Sequence, residues 1–409
     1  MHGEARRLGL DARDRALAMR LAYGAVQRRA TLDHLVETLA GRPVGRLEPL
    51  VLAALRLGLY QLAYADRVPA HAAVAESVEL VKRASPGGAK LVNAVLRRVA
   101  ERGAGLLAHQ DRVRLDIPDW LWQRWSSAYG PDAARRIAEA SLTEAALDIS
   151  VKPGGATGAA WAERLGGRLL PTGSIRVASH GRIEDLPGYA EGAWWVQDAA
   201  AALVTRVAGD VTGRSVADLC AAPGGKTAGL AAAGALVTAV DVSGARLVRL
   251  RENLARLSLA AEVVEADAAT WSPDRAFDVV LLDAPCTATG TIRRHPDILR
   301  LKRAEDVARM AQLQRLMLAH AASLVRPGGL LVYSTCSLEP EEGPMQIAAL
   351  LATRPDFERV PITAVEIGAA PNWFTPDGEL RTLPFHGPQE PPGLAGMDGF
   401  FVARLRRKS

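Results

Sequence analysis

The sequence predicts a multidomain protein: an all-α domain over residues 1–105, linker helices and a small α+β unit over 106–190, and an α/β domain with a parallel sheet over 191–409. Three observations carry this. Apolar residues recur at helical spacing from about residue 5 to 102, the pattern changes to alternation at 146–152, and five short apolar runs follow Ser215 with helical segments between successive runs.

In the first segment Leu32, Leu35, Val36 and Leu39 mark one apolar helix face, and Leu91, Val92, Val95, Leu96 and Val99 mark another. The stretch from Leu47 to Tyr64 is apolar nearly all round and predicts a central buried helix. Arg67-Val68-Pro69 and Ser85-Pro86-Gly87-Gly88 punctuate the chain around it. Five to seven helices fit the span.

The pattern loosens near Gly103-Ala104-Gly105. Residues 115–140 read as short helices, and Ala146 to Lys152 alternates as a strand does. A helix from Thr157 to Leu165 and strands at Gly167–Leu170 and Ser174–Ala178 complete the small unit, which leads into the aromatic run Trp194-Trp195-Val196-Gln197.

The five later runs are SVADLCAA, LVTAVDVS, AEVVEADA, FDVVLLDAP and GGLLVYSTC. Short, continuous apolar runs alternating with helices are the pattern of a parallel sheet covered on both faces. Such sheets bind ligands beyond the carboxyl ends of their strands, where each run ends in a small, acidic or sulfur-bearing residue. The final run, Gly399 to Leu405, fits an antiparallel edge strand.

Composition sets the outer limits. The 409 residues are 49% hydrophobic and 23% charged, without a long low-complexity tract, which fits folded domains. No apolar stretch reaches the roughly 20 residues of a membrane span, and the first 20 residues lack a signal-peptide apolar core, so a cytoplasmic location is expected. Net charge is +5, but residues 1–105 hold 17 Lys/Arg against 10 Asp/Glu and the remainder is slightly acidic. A basic front domain suits a polyanion, although a solvated helical surface gives the same excess. The three cysteines, at 220, 286 and 336, fit neither a CxxC metal site nor a disulfide framework, so no metal is expected.

The first chemical motif is DLCAAPGGKT, residues 218–227, a strand turning through Gly224 and Gly225 into a helix whose free N–H groups can meet a ligand. A P-loop would need Gly where Cys220 stands. The next strand ends in Asp241 and the third in Asp267. A carboxylate at the second position can accept ribose hydroxyls and one at the third an adenine amino group, an order that suits an adenosine-bearing cofactor; for either alone, a turn or helix cap is the competing reading. The fourth strand ends Leu281-Leu-Asp-Ala-Pro-Cys286, ahead of a basic stretch with Arg293, Arg294 and His295. The fifth ends Tyr333-Ser-Thr-Cys-Ser337. Two cysteines thus face one crevice beside Asp283. Glu339, Pro340 and Glu341 predict a helix starting at Ser337, whose N-terminal partial charge would favour a Cys336 thiolate.

Together DLCAAPGGKT, AVDVS, EADA, LLDAPCTATGTIRRHPD and VYSTCSLEPEE resemble the bacterial ribosomal-RNA cytosine-C5 methyltransferases of the Sun/Fmu (RsmB) family. The likeness covers almost the whole chain. Residues 1–105, with RVPAHAAVAESVELVK and KLVNAVLRR, look like its NusB-like RNA-binding domain, and TLPFHGPQEPPGLAGMDGFF resembles its closing motif, with a longer run between Leu383 and Gly399. The resemblance implies a Rossmann-like class I methyltransferase fold at 191–409. It also implies S-adenosylmethionine held by Cys220, Ala221, Ala222, Pro223, Gly224, Gly225, Lys226, Asp241, Asp267 and Asp283, with Asp283 also near the base. By the family's rule Cys336 is the nucleophile and Cys286 assists product release, whereas related DNA enzymes use the Pro-Cys cysteine.

The implied substrate is an unpaired or flipped cytosine of 16S rRNA. Carbon 6 would take the thiolate, making carbon 5 able to accept a methyl group, with Asp283 on the cytosine edge. Arg293, Arg294 and His295 would hold the displaced RNA backbone, a solvated loop being the alternative. A monomer acting without metal or membrane is expected. The same chemistry on tRNA, a non-catalytic ribosome-assembly factor and a small-molecule methyltransferase are the competing functions.

Overall fold

The computed structural model describes residues 7–65, 68–102, 110–178, 181–389 and 393–409. Its backbone forms two compact units: the chain up to Trp122 with His295–Leu301, and Gln123–Arg294 with Lys302–Ser409. The predicted loosening at Gly103-Ala104-Gly105, and Arg67, lie outside the described residues.

The first unit is helical throughout. Helices α1 (Ala12–Gln27), α2 (Arg29–Ala40), α3 (Pro49–Tyr64), α4 (Ala70–Lys82) and α5 (Pro86–Arg102) follow in order. Leu32, Leu35, Val36, Leu55, Leu59, Val92, Val95 and Leu96 form their common core. Full burial of one such side chain stabilises by about 1.5–3 kcal/mol, which outweighs the weak propensities of the β-branched residues among them. α3 sits centrally, as its all-round apolarity predicts. It keeps a helix-weakening glycine because a Cβ at Gly58 would lie 2.5 Å from Leu96 Cδ1. After the connecting residues, α6 (Arg112–Asp116) packs back on α2, where Asp116 accepts the N–H and hydroxyl of Thr31, both at 2.9 Å. Helix α7 (Asp119–Tyr129) leads into the second unit.

The second unit begins with α8 (Pro131–Ser141) and holds two sheets. The smaller consists of β1 (Leu147–Val151), β2 (Gly167–Leu169), β3 (Ile175–Val177) and β4 (Trp194–Val196), in the order β2-β3-β1-β4 and antiparallel throughout. With α9 (Gly158–Arg164) it buries Ile149, Trp161, Ile175, Val177 and Trp194. β1, β2, β3 and α9 match the expected strands and helix to within two residues, whereas the aromatic run, expected beyond this unit, supplies its fourth strand through pairing with β1.

The larger sheet runs β10-β12-β9-β8-β5-β6-β7. Its parallel strands are β5 (Ser215–Leu219), β6 (Leu236–Asp241), β7 (Glu262–Glu265), β8 (Phe277–Asp283) and β9 (Val325–Thr335). Helices α10 (Ala199–Val207), α11 (Gly225–Ala232), α12 (Gly244–Leu257), α13 (Ile298–Leu301), α14 (Ala304–Ser323), α15 (Pro344–Thr353) and α16 (Ala364–Ile367) account for the remaining α segments; α13 belongs to the first unit. One face of the sheet packs on Leu203, Val204 and Val207 of α10, the other on Met317, Leu318 and Ala321 of α14. Burial on both faces explains the unbroken apolar runs of β8 and β9.

Two expectations are corrected. No helix joins β7 to β8, because residues 266–276 cross by turns. The last strand, β12 (Phe401–Arg407), is antiparallel but interior: β10 (Phe357–Arg359) and β11 (Leu380–Arg381) pair with its other side. The chain passes from β5 outward to β6 and β7 and returns to β8, so strand order reverses between β5 and β8. A crevice opens at such a switch point, beyond the strands' carboxyl ends.

Candidate active site at the carboxyl edge of the sheet

The turn after β5 is built for close approach. Cys220 has φ +62° and Gly224 φ +101°, and a Cβ on Gly224 would lie 3.0 Å from Leu250 Cγ. Gly224 heads α11, so that helix presents its first N–H groups at the turn. Asp218 lies beneath, fully buried, accepting from Thr227 Oγ1 at 2.6 Å; its Oδ1 has no hydrogen-bond partner among the described residues. Burial pushes its pKa up to about 7 against the pull of Thr227 and Lys226. The Cys220 thiol is pushed up by burial and then by Asp283, Asp241 and Asp218, which keeps it neutral.

Lys226 reaches across from α11 to β8, its Nζ 2.6 Å from Asp283 Oδ2 and 5.4 Å from the centre of the Phe400 ring. Burial lowers the lysine's pKa, but the charge and hydrogen bond of Asp283 more than offset that and leave it raised. Asp283 also accepts from Ser334 Oγ at 2.9 Å, because the two residues are register partners on β8 and β9. Asp241, 2% exposed, accepts the N–H groups of Ala222 at 3.1 Å and Ser243 at 3.0 Å. Asp267 lies two residues beyond β7, not at its end, and is exposed. Its carboxylate accepts from Ala269 N–H at 2.9 Å, the turn interaction weighed as its competing reading. The Ala266 N–H donates to the Asp241 carbonyl, which keeps this turn beside the end of β6.

The two remaining cysteines meet. Cys286 Sγ and Cys336 Sγ are 3.4 Å apart, on the loops leaving β8 and β9. The hydrogen bond to Cys336, followed by burial, holds the Cys286 pKa well above its ordinary value, so Cys286 is a neutral thiol. The helix expected at Ser337 does not form. Residues 337–339 are extended and tied down by side chains, and only a single 3-10 turn, Pro340–Glu342, precedes α15. The proposed helix-terminus field at Cys336 is therefore absent.

The basic trio is dispersed. Arg293 is 4% exposed, donating to the Ala395 carbonyl at 3.2 Å and lying 3.7 Å from Asp398. Arg294 bridges Asp198 at 2.6 Å and Asp398 at 3.0 Å. Neither is in a solvated loop: the Arg294 guanidinium is paired inside the protein, and that of Arg293 is buried, with Nε and Nη2 lacking a hydrogen-bond partner among the described residues. His295 alone is exposed. Asp198, which accepts the Asp398 N–H at 3.1 Å, and these arginines anchor residues 395–398, together with Arg176, which pairs with Asp148 through two 2.7 Å bonds and donates to the Leu394 and Gly396 carbonyls. Asp198 and Asp398 escaped the sequence reading. Asp198 carried a signal, as an acidic residue directly before a helix that it caps through Ala200 N–H. Asp398 carried one too, as the acidic residue of the closing segment TLPFHGPQEPPGLAGMDGFF.

Comparison with known proteins follows this division. Residues 209–406 match the family described as 16S rRNA methyltransferase RsmB/F, and residues 2–101 match the NusB family. The chain is 38% identical to ribosomal RNA small subunit methyltransferase B of Klebsiella pneumoniae, covering 97% of this chain and 91% of that one. The protein of the same name from Vibrio cholerae is 37% identical, with 97% and 90% covered. Among solved structures, that of PH0851 superposes with a TM-score of 0.77 at 26% identity, covering 96% of this chain and 90% of the other. The glycine turn, the carboxylate ending β6 and the unpartnered buried oxygen of Asp218 fit a cofactor that carries a nucleoside and a cationic amino-acid end. The chain belongs to the RsmB/F family of 16S rRNA methyltransferases, enzymes that use S-adenosylmethionine, with a NusB-family domain ahead of the methyltransferase domain.

Proposed function

We propose that this protein methylates carbon 5 of a cytosine in 16S rRNA through a covalent bond from Cys336 to carbon 6. The observation that carries the reading is the 3.4 Å approach of the Cys286 and Cys336 sulfurs beside Asp283. One nucleophile, one assisting thiol and one carboxylate at adjacent strand ends are what this chemistry needs, and a simple methyl transfer to nitrogen or oxygen needs neither sulfur.

Carbon 5 of cytosine is a weak nucleophile. The Cys336 thiolate adds to carbon 6, and the displaced π electrons make carbon 5 enamine-like. Residues 220–226, Asp241, Asp267 and Asp283 would hold S-adenosylmethionine, which would supply an electrophilic methyl group to carbon 5, its sulfonium becoming the thioether of S-adenosylhomocysteine. Asp283, fixed from both sides by Lys226 and Ser334, accepts from the cytosine amino group as charge builds on the ring. The carbon-5 proton then passes to a base, for which a water molecule serves with Cys286 assisting; its bonding electrons reform the 5,6 double bond and the Cys336 sulfur departs as a thiolate. Cys286, held as a neutral thiol beside both sulfur and proton, assists by hydrogen-bonding that base and the sulfur as charge returns to it.

A base stacked in a duplex shields carbon 6, so the target is unpaired or extruded. Arg293 and Arg294 serve by holding the 382–401 segment rather than by touching RNA. The three pieces, 1–105, 106–190 and 191–409, act as the RNA-binding part, the linking and RNA-contacting part and the catalytic part of a monomer.

The test incubates tritiated S-adenosylmethionine and unmodified small-subunit rRNA with wild type, Cys336→Ala and Cys286→Ala. Transfer lost in Cys336→Ala, with a denaturation-resistant RNA adduct in Cys286→Ala, supports the reading. An active Cys336→Ala reverses the two roles, and transfer to tRNA but not rRNA redirects the substrate.

A further inference from the structure

We infer that Glu342 is a positioning residue that fastens the Cys286 loop to the Cys336 loop and so sets the distance at which one sulfur can act on the other's adduct. The inference rests on the covalent mechanism proposed above.

Glu342 is completely buried, in the 3-10 turn six residues beyond Cys336. Its carboxylate accepts from four groups. Oε1 takes the Thr287 N–H at 2.9 Å and Gln314 Nε2 at 3.0 Å; Oε2 takes the hydroxyls of Thr287 and of Ser337. Thr287 directly follows Cys286, and Ser337 directly follows Cys336. A single side chain therefore grips the residue after each cysteine. Gln314, itself fully buried, extends the grip by donating to the Pro285 carbonyl at 2.8 Å, the residue before Cys286. The main-chain carbonyl of Glu342 is held in turn by the hydroxyls of Tyr333 at 2.8 Å and Thr335 at 3.2 Å, both on β9.

The two loops do not depend on Glu342 equally. The Cys336 carbonyl accepts the Gly290 N–H at 2.9 Å, a tie the two loops share, but the Ser337 carbonyl also accepts from Arg381 at 2.6 Å, so the Cys336 loop keeps a mooring outside the pair. The residue after Cys286 is held through its N–H and its hydroxyl by Glu342 itself. Loosening Glu342 thus displaces the assisting thiol more than the nucleophile, and the step that suffers is release of the adduct, not its formation.

Glu342→Gln preserves shape, since the amide oxygen can keep the Thr287 N–H and Gln314 bonds while its NH2 group faces two hydroxyls that already share one carboxylate oxygen. The test measures turnover, single-turnover adduct formation and the trapped RNA adduct, with tritiated S-adenosylmethionine and unmodified small-subunit rRNA. Expected are turnover reduced roughly tenfold or more, adduct accumulating as in Cys286→Ala, unchanged cofactor affinity, and little further loss when both substitutions are combined. Slower turnover without adduct, or losses that multiply in the double variant, overturns the assignment, since a merely structural defect lowers all steps together. Should Glu342→Gln prove insoluble, Thr287→Val removes one donor at nearly constant shape, and accumulation of adduct supports the assignment where wild-type behaviour overturns it. If Cys286→Ala forms no adduct, the roles assigned to the two cysteines fail, visibly in that arm, and this inference falls with them.

Discussion

Cys286 and Cys336, fifty positions apart in sequence, bring their sulfurs to 3.4 Å because Asp283 and Ser334 are register partners on parallel strands β8 and β9. Each cysteine lies two or three residues beyond its partner, on a loop pinned by buried hydrogen bonds. The contact is therefore a consequence of strand register.

Two thiols at this separation need only a small shift to reach the roughly 2.05 Å of a disulfide. Treatment of a Cys220→Ser variant with diamide is expected to link Cys286 to Cys336 within one chain and abolish methyl transfer, with full recovery in dithiothreitol. Peptide mass mapping identifies the link. Free thiols at both positions after complete inactivation would contradict it.

Lys226 holds Asp283 at 2.6 Å in a largely enclosed setting. Lys226→Met nearly keeps the side chain's length but removes the ammonium from the Phe400 ring and leaves the carboxylate without its cation. We expect a fall in kcat/KM on the order of a hundredfold, comparable to the loss of one preorganised electrostatic partner. The loss should be seen mainly in kcat, because Asp283 is assigned to the base. A change confined to the cofactor's KM would instead place Lys226 in cofactor binding alone.

Asp218 has a pKa of about 7 in the folded chain, raised chiefly by burial, against about 3.9 when unfolded. The folded state thus binds the extra proton between these values. Its stabilising contribution is complete below about pH 4 and is lost as pH rises to about 7. Asp218→Asn removes this dependence, so the difference in Tm between variant and wild type should grow in the variant's favour from pH 5 to 8. A cationic ligand beside Asp218 would favour the ionised form, so cofactor binding near pH 6 is expected to release a proton, which calorimetry in buffers of different ionisation enthalpy detects. Parallel Tm curves would show that Asp218 does not titrate in this range.

Arg176 and Asp148 form a buried bidentate pair, 1% and 0% exposed, and Arg176 also carries the carbonyls of Leu394 and Gly396. Arg176→Met strands the Asp148 charge, and removing one partner of a buried pair costs about 3–5 kcal/mol. Urea unfolding should register that loss. Limited proteolysis should show earlier cleavage within 382–401 than in wild type.

Much of this site was legible in the order of residues. The turn at Gly224-Gly225, the carboxylates at 241 and 283 and the cysteines at 286 and 336 lie at strand ends that short apolar runs make evident, since a strand buried on both faces must be apolar throughout and must stop where polar chemistry begins. Helical spacing likewise disclosed α3 and its neighbours, and local alternation disclosed β1. Two local readings failed where tertiary contacts outbid local preference. Ser337 through Glu341 carries helix-start residues, yet Glu342 and Arg381 hold that chain extended. Arg293 and Arg294 look like a basic loop, yet Asp198 and Asp398, far along the chain, neutralise them.

The sequence by itself determined the fold class, the strand ends at which chemistry gathers and the kinds of group placed there, because periodicity and local turn chemistry are properties of neighbouring residues. Only the tertiary structure decided the pairing of the two sulfurs, the grip of Glu342 on both cysteine loops and the burial of the arginines. Those depend on which distant segments share a register or a cavity, and the large penalty for an unpaired buried charge or donor then fixes the partners.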